Sequence, residues 1–490
     1  MVLSSLAGGY FGPGGRSNRP GLAAWNPGVA DADGDISPDL VDLRGFSRDL
    51  ARKNPLAGGA INTTVTYTVG TGLSLQPTPD AEFLRLSPGK ALAWATNTAR
   101  RWSMWAETTD CDITRSQNFY GLQPLALRSA LESGDVFALF PTTVRGFAVQ
   151  LIEADRVSNP GRRADRANLT QGIEFDEYGA PQKYHISTRH PGSLRSGALE
   201  WVEVSAFGAE TGRRNVLHLF DRRRPGQTRG VPYLAPVIEP LKQLGRYTDA
   251  ELSAAVNSAA FAFFIRMDPD AFADLFTSSE DQQGYLDAAK RWDGGLDNPG
   301  KAINLLPGEE PVSPKLDRPN TAFDPFVMSI YRHIGVGLDL PVEVLIKHFQ
   351  ASYSAARAAM LDAARFFRGR RDWLAGSFCQ PIYELWLEWE IANGHIPAPG
   401  FFADPNYRNA WTQALWTGDG PGSLDPLKEV NASILRIGQG ISTIAAESML
   451  HDGVTWEVKH RQRGVEMAAR RAAGLEDPAP LPEQIVLPEV

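Results

Sequence analysis

Two carboxylates on one predicted strand are the first residues that could do chemistry. Glu153 and Asp155 stand two positions apart in the segment FAVQLIEADRVS, whose alternation predicts a strand with both side chains on one face. Such a pair could act as general acid and base, as in a nuclease or another hydrolase. No partner motif accompanies them. A carboxylate-dependent nuclease therefore remains only a less favoured hypothesis.

Histidine and cysteine are scattered without the spacing of ligands or nucleophiles. His185, His190 and His218 lie in predicted strands, and Cys111 and Cys379 stand far apart. The GxSxG, HExxH, CxxC and Walker motifs are absent from the sequence. We therefore expect no catalytic residue, no metal ligand and no cofactor, and two reduced, structural cysteines.

Arginines cluster around one predicted turn, DRRRPGQTRG, at positions 222, 223, 224 and 229. A guanidinium group binds phosphate and carboxylate equally well in a two-pronged geometry. The turn could therefore contact phosphates, or it could be a solvated or subunit-bridging loop. We favour a protein contact, with Arg224 and Arg229 as candidate subunit-interface residues.

Length and charge narrow the class of protein. The chain has 490 residues, a formal net charge of −8 and 43% hydrophobic residues, which allows two or three globular domains. The acidic balance argues against a protein that grips nucleic acid over a broad basic face, but not against one that lets it slide past. No apolar run is long enough for a membrane helix, and the first residues lack the pattern of a signal peptide.

The predicted elements that position these residues change from helices to strands along the chain. Apolar periodicity predicts helices near 39–53, 55–62, 87–106 and 119–131, whereas 63–69 either extends a helix or begins a strand. Residues 134–220 alternate as a largely antiparallel sheet. Trp94, Trp102 and Trp105 share one helix and indicate a core or a subunit interface.

Two helical segments, 239–265 and 323–340, enclose an irregular insert. The first has a narrow profile of small residues, including Ala255 and Ala259, and is predicted to pack closely on other helices, either inside a core or between subunits. In the insert we expect a helix near 281–292, a strand at 302–306 and a loop containing solvated Glu309 and Glu310. A helix that leaves and a helix that returns would project the insert away from the body.

Three segments, in the same order, resemble lambda-type phage portal proteins. LRGFSRDLARKNPLAGGAINTTVTYTVGTGLSLQP (43–77) is similar to the family's N-terminal signature, and DRRRPGQTRGVPYLAPVI (221–238) resembles its arginine–glycine–glutamine turn. FQASYSAAR (349–357) is similar to the segment that opens a long helix, with Ser352 where the family pattern has asparagine.

The resemblance implies an α+β portal fold with an α/β wing, a helical stem, a mixed α/β clip and a helical C-terminal crown. The segments would be a flexible N-terminal arm (1–37), a wing (38–238), stem helices (239–265 and 323–340), a clip (266–322), a tunnel-loop region (341–353), a long kinked helix with the wing return (354–424), a crown (425–473) and a disordered tail (474–490).

The same resemblance implies function and partners. The chain would form a ring, dodecameric in the mature particle, and would be found in the virion after assembly in the host cytoplasm. Its partners would be the major capsid protein, the terminase large subunit, a head–tail adaptor and double-stranded DNA in the channel. A coat or scaffold subunit without a channel is the alternative.

The resemblance also suggests sites. Glu309 and Glu310 would belong to the docking surface of the clip, and Lys347 and His348 to the tunnel loop near 346–352. Lys347 could instead pair with Glu343 on the preceding turn.

Overall fold

The computed structural model describes residues 29–194, 197–260, 264–267, 278–291, 309–312, 323–349, 353–418, 426–452 and 456–475. These residues divide into two compact units, described separately below. Unit 1 comprises residues 1–235 and 361–490, and unit 2 comprises residues 236–360.

Unit 1 begins with helices and continues into strands. Its helices up to residue 133 are α1 (Ala32–Ile36), α2 (Leu40–Lys53), α3 (Pro55–Val69), α4 (Pro88–Ala106) and α5 (Phe119–Ser133). Its strands up to residue 220 are β1 (Ser74–Pro77), β2 (Asp135–Leu139), β3 (Thr142–Thr143), β4 (Gly146–Phe147), β5 (Gln150–Glu153), β6 (Leu169–Thr170), β7 (Ile173–Phe175), β8 (Pro181–Ser187), β9 (Trp201–Ser205) and β10 (Val216–Phe220). The ambiguous run 63–69 extends helix α3.

Unit 2 contains α6 (Ile238–Ala260), β11 (Phe264–Met267), α7 (Ser279–Arg291), β12 (Glu309–Val312), α8 (Phe323–Gly337) and α9 (Val342–Ile346). The border between the units falls within α10 (Tyr353–Leu374). The chain then forms α11 (Gln380–Ala392), α12 (Pro405–Thr412), β13 (Ala414–Thr417), α13 (Pro426–Gly438), α14 (Ile444–Asp452) and α15 (Trp456–Ala472).

The long helix, predicted to be kinked, is interrupted just before Pro381. A π-helical turn, Ala375–Cys379, separates α10 from α11, and Pro381 lies in the first turn of α11. Proline fits there because the first-turn N–H groups have no partner within the helix.

Unit 1 has an aromatic core and a sheet core. Trp102 of α4 packs in edge-to-face contacts against Phe119, Tyr383 and Trp386, with ring centroids 5.0–5.7 Å apart. Of the two roles predicted for these tryptophans, core or subunit interface, Trp102 therefore has the core role. The second core lies between antiparallel sheets of order β10-β2-β5 and β6-β7-β8-β9. Its buried side chains include Phe137, Ile152, Ile173, Tyr184 and Val216.

Unit 2 contains the two helices that enclose the insert. Tyr247 of α6 stacks on Phe323 at 5.7 Å and meets Phe326 edge-on at 5.1 Å, so α6 packs against the first turn of α8. Beyond α6, strand β11 pairs antiparallel with β12. The predicted insert helix is confirmed as α7, whereas the predicted strand at 302–306 lies outside the described residues.

Candidate functional site

Arg229, a candidate interface residue, lies inside unit 1. Its side chain is 1% exposed, and its guanidinium group contacts Asp135 through Nε at 2.6 Å and Nη2 at 3.2 Å. The remaining N–H groups donate to the carbonyl oxygens of Val157, Gln171 and Ala154 at 2.7–2.9 Å. These contacts use the N–H groups of the buried guanidinium within the subunit. The prediction of Arg229 as an interface residue is therefore corrected to an intramolecular role.

Asp135 is the centre of this buried ionic cluster. It also accepts from Arg44 Nη2 at 2.9 Å and contacts His218 Nε2 at 3.1 Å. Burial by itself would raise the pKa of Asp135, but Arg229 and then Arg44 hold it well below its usual range. Burial lowers the pKa of His218 to about 4, against the opposing effect of Asp135. The cluster ties helix α2 to strands β2 and β10.

Arg224, the other arginine proposed at an interface, is exposed and binds the N-terminal helix α1. Its guanidinium donates to Asp35 at 2.5 Å and to the carbonyl oxygen of Ala30 at 3.1 Å. Thr228 donates from both its backbone N–H and its hydroxyl to Asp33. Within the predicted flexible arm (1–37), residues 32–36 instead form the helix α1, which these contacts hold, while residues 1–28 lie outside the described part.

The two carboxylates of the nuclease hypothesis do not form a pair on one strand. Strand β5 ends at Glu153, which is exposed, and Asp155 lies in a following 3₁₀ turn. Asp155 forms an ion pair with Arg48, and His190 Nε2 lies 3.6 Å away. The expectation of a shared strand face is therefore wrong.

The histidines and cysteines have structural environments. His185 Nε2 contacts Glu174 at 2.8 Å, and both Cys111 and Cys379 are buried with free thiols. Burial raises the pKa of both thiols. Within the described ranges, no three His, Cys, Asp or Glu residues group as a metal site requires, and no helix there could span a membrane.

Helix α6 is buried at its start and uncovered further along. Leu241 and Leu244 are buried, whereas Leu252 is 66% exposed and Val256 60% exposed. Those two residues are four positions apart, so they form one stripe on the helix, and the exposed Ala255 lies beside them. Ala259 lies on the same helix, but its side chain is outside the described set. Sequence periodicity marked Leu252 and Val256 as apolar positions without distinguishing them from core residues.

Glu309 and Glu310 lie in a strand, not in the loop that was predicted. Strand β12 pairs Glu309 with Met267 and Glu310 with Arg266 across an antiparallel ladder. Pro311 lies within this strand. Because proline is rare inside strands, the sequence pattern indicated a loop here. The correction moves both glutamates onto an ordered two-stranded sheet.

Lys347 and His348 follow the short helix α9 and are both exposed. Lys347 has φ +56°, in the left-handed region, and its backbone N–H donates to the carbonyl oxygen of Glu343, which ends the helix. The structure forms no ion pair between the side chains of Lys347 and Glu343, so that alternative is wrong. Residues 350–352 of the predicted tunnel loop lie outside the described part.

Known proteins similar to this chain share one family. The sequence profile "Phage portal protein, lambda family" matches residues 18–371. Portal protein B of Escherichia phage lambda is 28% identical, covering 96% of this chain and 91% of that protein. The portal protein of Escherichia phage N15 is 27% identical, covering 96% and 92%.

Solved structures similar to this chain include the neck of a native GTA (gene transfer agent) particle computed with C12 symmetry. It is 13% identical with a TM-score of 0.44, covering 84% of this chain and 92% of that chain. The neck of an empty GTA particle computed with C6 symmetry is 15% identical with a TM-score of 0.39, covering 69% and 82%.

The family profile spans well over half of the chain and ends within the long helix α10. The mixture of helices and antiparallel sheets agrees with the expected α+β portal fold. The chain belongs to the lambda family of phage portal proteins, a structural family of the virion.

Proposed function

We propose that the chain assembles into a closed ring, dodecameric in the mature particle, that forms a channel for double-stranded DNA at one capsid vertex. The ring would serve packaging, head–tail joining and ejection. The observation that carries this proposal is the uncovered apolar stripe of Leu252 and Val256 on α6, in a chain of the portal family.

The stripe supports assembly because exposed apolar area of this kind gains free energy when a partner covers it. A closed ring uses two different surfaces, so that one face of each subunit meets the opposite face of the next. Ala255 beside the stripe would let a neighbouring helix approach closely. Ala259 remains a candidate at the same interface, and Arg224 is a weaker one because α1 already occupies its guanidinium group.

Lys347 and His348 are our candidates for the channel wall. The left-handed turn at Lys347 ends α9 and leaves both side chains exposed. DNA carries about one charge per 1.7 Å, and screening at physiological salt limits charge effects to about 8 Å. Only residues lining the channel therefore act on passing DNA. The Lys347 ammonium and a ring N–H of His348 would give brief phosphate contacts without stalling the DNA.

Docking is proposed for the segment around β11, α7 and β12. Glu309 and Glu310 would help bind the terminase large subunit during packaging and a head–tail adaptor afterwards, while the major capsid protein would surround the ring. Because these glutamates lie in a paired strand, deleting the segment from 309 to 314 would disrupt the sheet. Replacing Glu309 and Glu310 with glutamine is the cleaner test of docking.

Negative-stain imaging and native mass spectrometry of the purified chain test the proposal. We expect closed rings with a central hole and a mass that is a multiple of the 53.5 kDa subunit. Monomers would contradict ring assembly, and closed icosahedral shells would instead support a coat subunit.

A further inference from the structure

Two neighbouring loops of unit 1 display arginines together. Arg156 of the first loop, residues 156–168, donates to the carbonyl oxygen of Ser187 at 2.8 and 3.0 Å. Arg162 donates to the carbonyl oxygen of Pro191 at 2.7 Å, so the described part of the second loop, 187–194, is held beside the first. We call the resulting group the arginine surface; it comprises Arg156, Arg162, Arg163, Arg166 and Arg189.

The charge of this surface is only partly neutralised, since Glu153 acts on Arg156 while the arginines around Asp165 have one carboxylate among them. Asp165 is the one carboxylate in 156–168 and 187–194, and its Oδ1 already accepts from Asn159 and from the backbone of Gln171. Arg163 and Arg166 are exposed, and their guanidinium groups have no hydrogen-bond or ion-pair partner among the described residues. A chain of net charge −8 therefore presents Arg162, Arg163 and Arg166 within five exposed residues beside a single carboxylate, Asp165.

The first loop is built in a fixed conformation. Asn159 is nearly buried, accepts from the N–H of Gly172 at 2.6 Å and donates to the carbonyl oxygen of Arg163 at 2.9 Å. Gly161 and Arg162 both adopt left-handed backbone angles, φ +66° and +57°. Because these contacts order the loop in advance, a ligand would pay little entropy to order it.

The chemistry of the loops fits a polyanion better than a protein partner. Protein interfaces have an apolar centre, but Leu194 is the one large apolar side chain exposed in the described parts of these loops. Arginine also matches the planar, two-pronged geometry of phosphate oxygens. We propose that the arginine surface binds the phosphate backbone of double-stranded DNA without sequence specificity, in a compact unit other than the one containing the candidate channel residues. The choice of DNA rests on the proposed function.

The test uses covalently closed circular DNA, which cannot thread a closed ring and so reports binding outside a channel. We would compare the assembled parent with Arg163→Gln/Arg166→Gln, because those two side chains support no contact among the described residues. Lys90→Gln/Arg100→Gln removes two exposed charges from α4 and is the matched control. Dissociation constants would be measured from about 50 to about 200 mM salt.

We expect the slope of log affinity against log salt to become shallower by about 2 in the arginine variant, since each lost phosphate contact contributes about 0.9. The Lys90→Gln/Arg100→Gln control should bind circular DNA like the parent. An Arg163→Lys/Arg166→Lys variant should keep the slope, because it keeps both charges.

Unchanged affinity and slope in the glutamine variant would overturn the proposal. So would displacement of DNA by polyglutamate at equal charge concentration, which would assign the surface to an acidic protein. Both results are obtained by comparing the arginine variant with the α4 control, whereas imaging of rings tests the channel proposal, so failure here is distinct from failure of that proposal.

Discussion

The buried ionic cluster of unit 1 has its charges paired within the subunit, whereas helix α6 of unit 2 leaves apolar side chains exposed. Asp135 finds two arginines and a histidine within its own subunit. Leu252 and Val256 are exposed, and no side chain in the described part of unit 2 buries them. The difference fits a unit 1 held together by internal contacts and an α6 that, in our proposal, is covered by assembly.

The largest expected effect is the loss of the shared carboxylate. Asp135→Ala would leave Arg44 and Arg229 buried without their counter-charge, which typically costs about 3–5 kcal/mol. We expect a much lower urea midpoint and poor soluble yield. Asp110→Ala is the control, because it removes a surface partner of Arg145 and should cost about 0–1 kcal/mol. Equal midpoints for the two variants would mean that the cluster does not stabilise unit 1.

Acid should weaken the same cluster before it affects surface pairs. Folding lowers the pKa of His218 to about 4 from an ordinary 6.5, so the unfolded chain binds the extra proton as the pH falls between those values. Stability should therefore drop by on the order of 3 kcal/mol from pH 7 to pH 4. Asp135, whose pKa is lowered, adds a loss only below about pH 4.

His218→Gln keeps a donor for Asp135 but removes this titration. Urea unfolding at a series of pH values should show a flatter profile between pH 4 and 6.5 than the parent. A parent profile that is already flat in that range would contradict a neutral His218 in the fold.

Overpacking α6 should have a smaller energetic effect and act on assembly alone. Ala255→Leu adds bulk beside the exposed stripe and should cost roughly 1–3 kcal/mol per interface, repeated around the ring. Native mass spectrometry should show fewer rings at limiting concentration, while the urea midpoint of unit 1 stays unchanged. Leu92→Ala, on the exposed side of α4, is the control. Undiminished ring formation would place Ala255 outside the interface.

The subtlest effect is expected at the channel candidates. Lys347→Ala/His348→Ala should leave rings assembled but change the amount of DNA packaged or retained. Quantifying DNA in purified particles would measure this. Normal DNA content would remove both residues from the mechanism and leave family membership untouched.

Local signals in the sequence predicted much of the architecture. Helical periodicity predicted α6 and α8. The cluster around Asp135 escaped prediction because its partners Arg44, His218 and Arg229 lie 83–94 residues away along the chain. Asp135 itself stands in no motif, and the arginine at 229 looked like its exposed neighbours in the turn.

Errors at the candidate site have similarly physical causes. Strand alternation could not reveal that β5 ends at Glu153 and turns Asp155 towards Arg48. Pro311 concealed strand β12, whose pairing with β11 spans more than forty residues. Periodicity reports which residues are apolar, but burial of Leu241 and exposure of Leu252 on one helix depend on tertiary packing.

Hydrogen–deuterium exchange tests the contrast between the two regions most directly. The measurement would compare the assembled parent with Leu252→Asn/Val256→Asn, which should not form rings. We predict that the amides of residues 248–260 are protected in the parent and exchange much faster in the variant, while β2 and β10 are equally protected in both. Identical exchange along α6 in the two proteins would contradict the claim that assembly covers this helix.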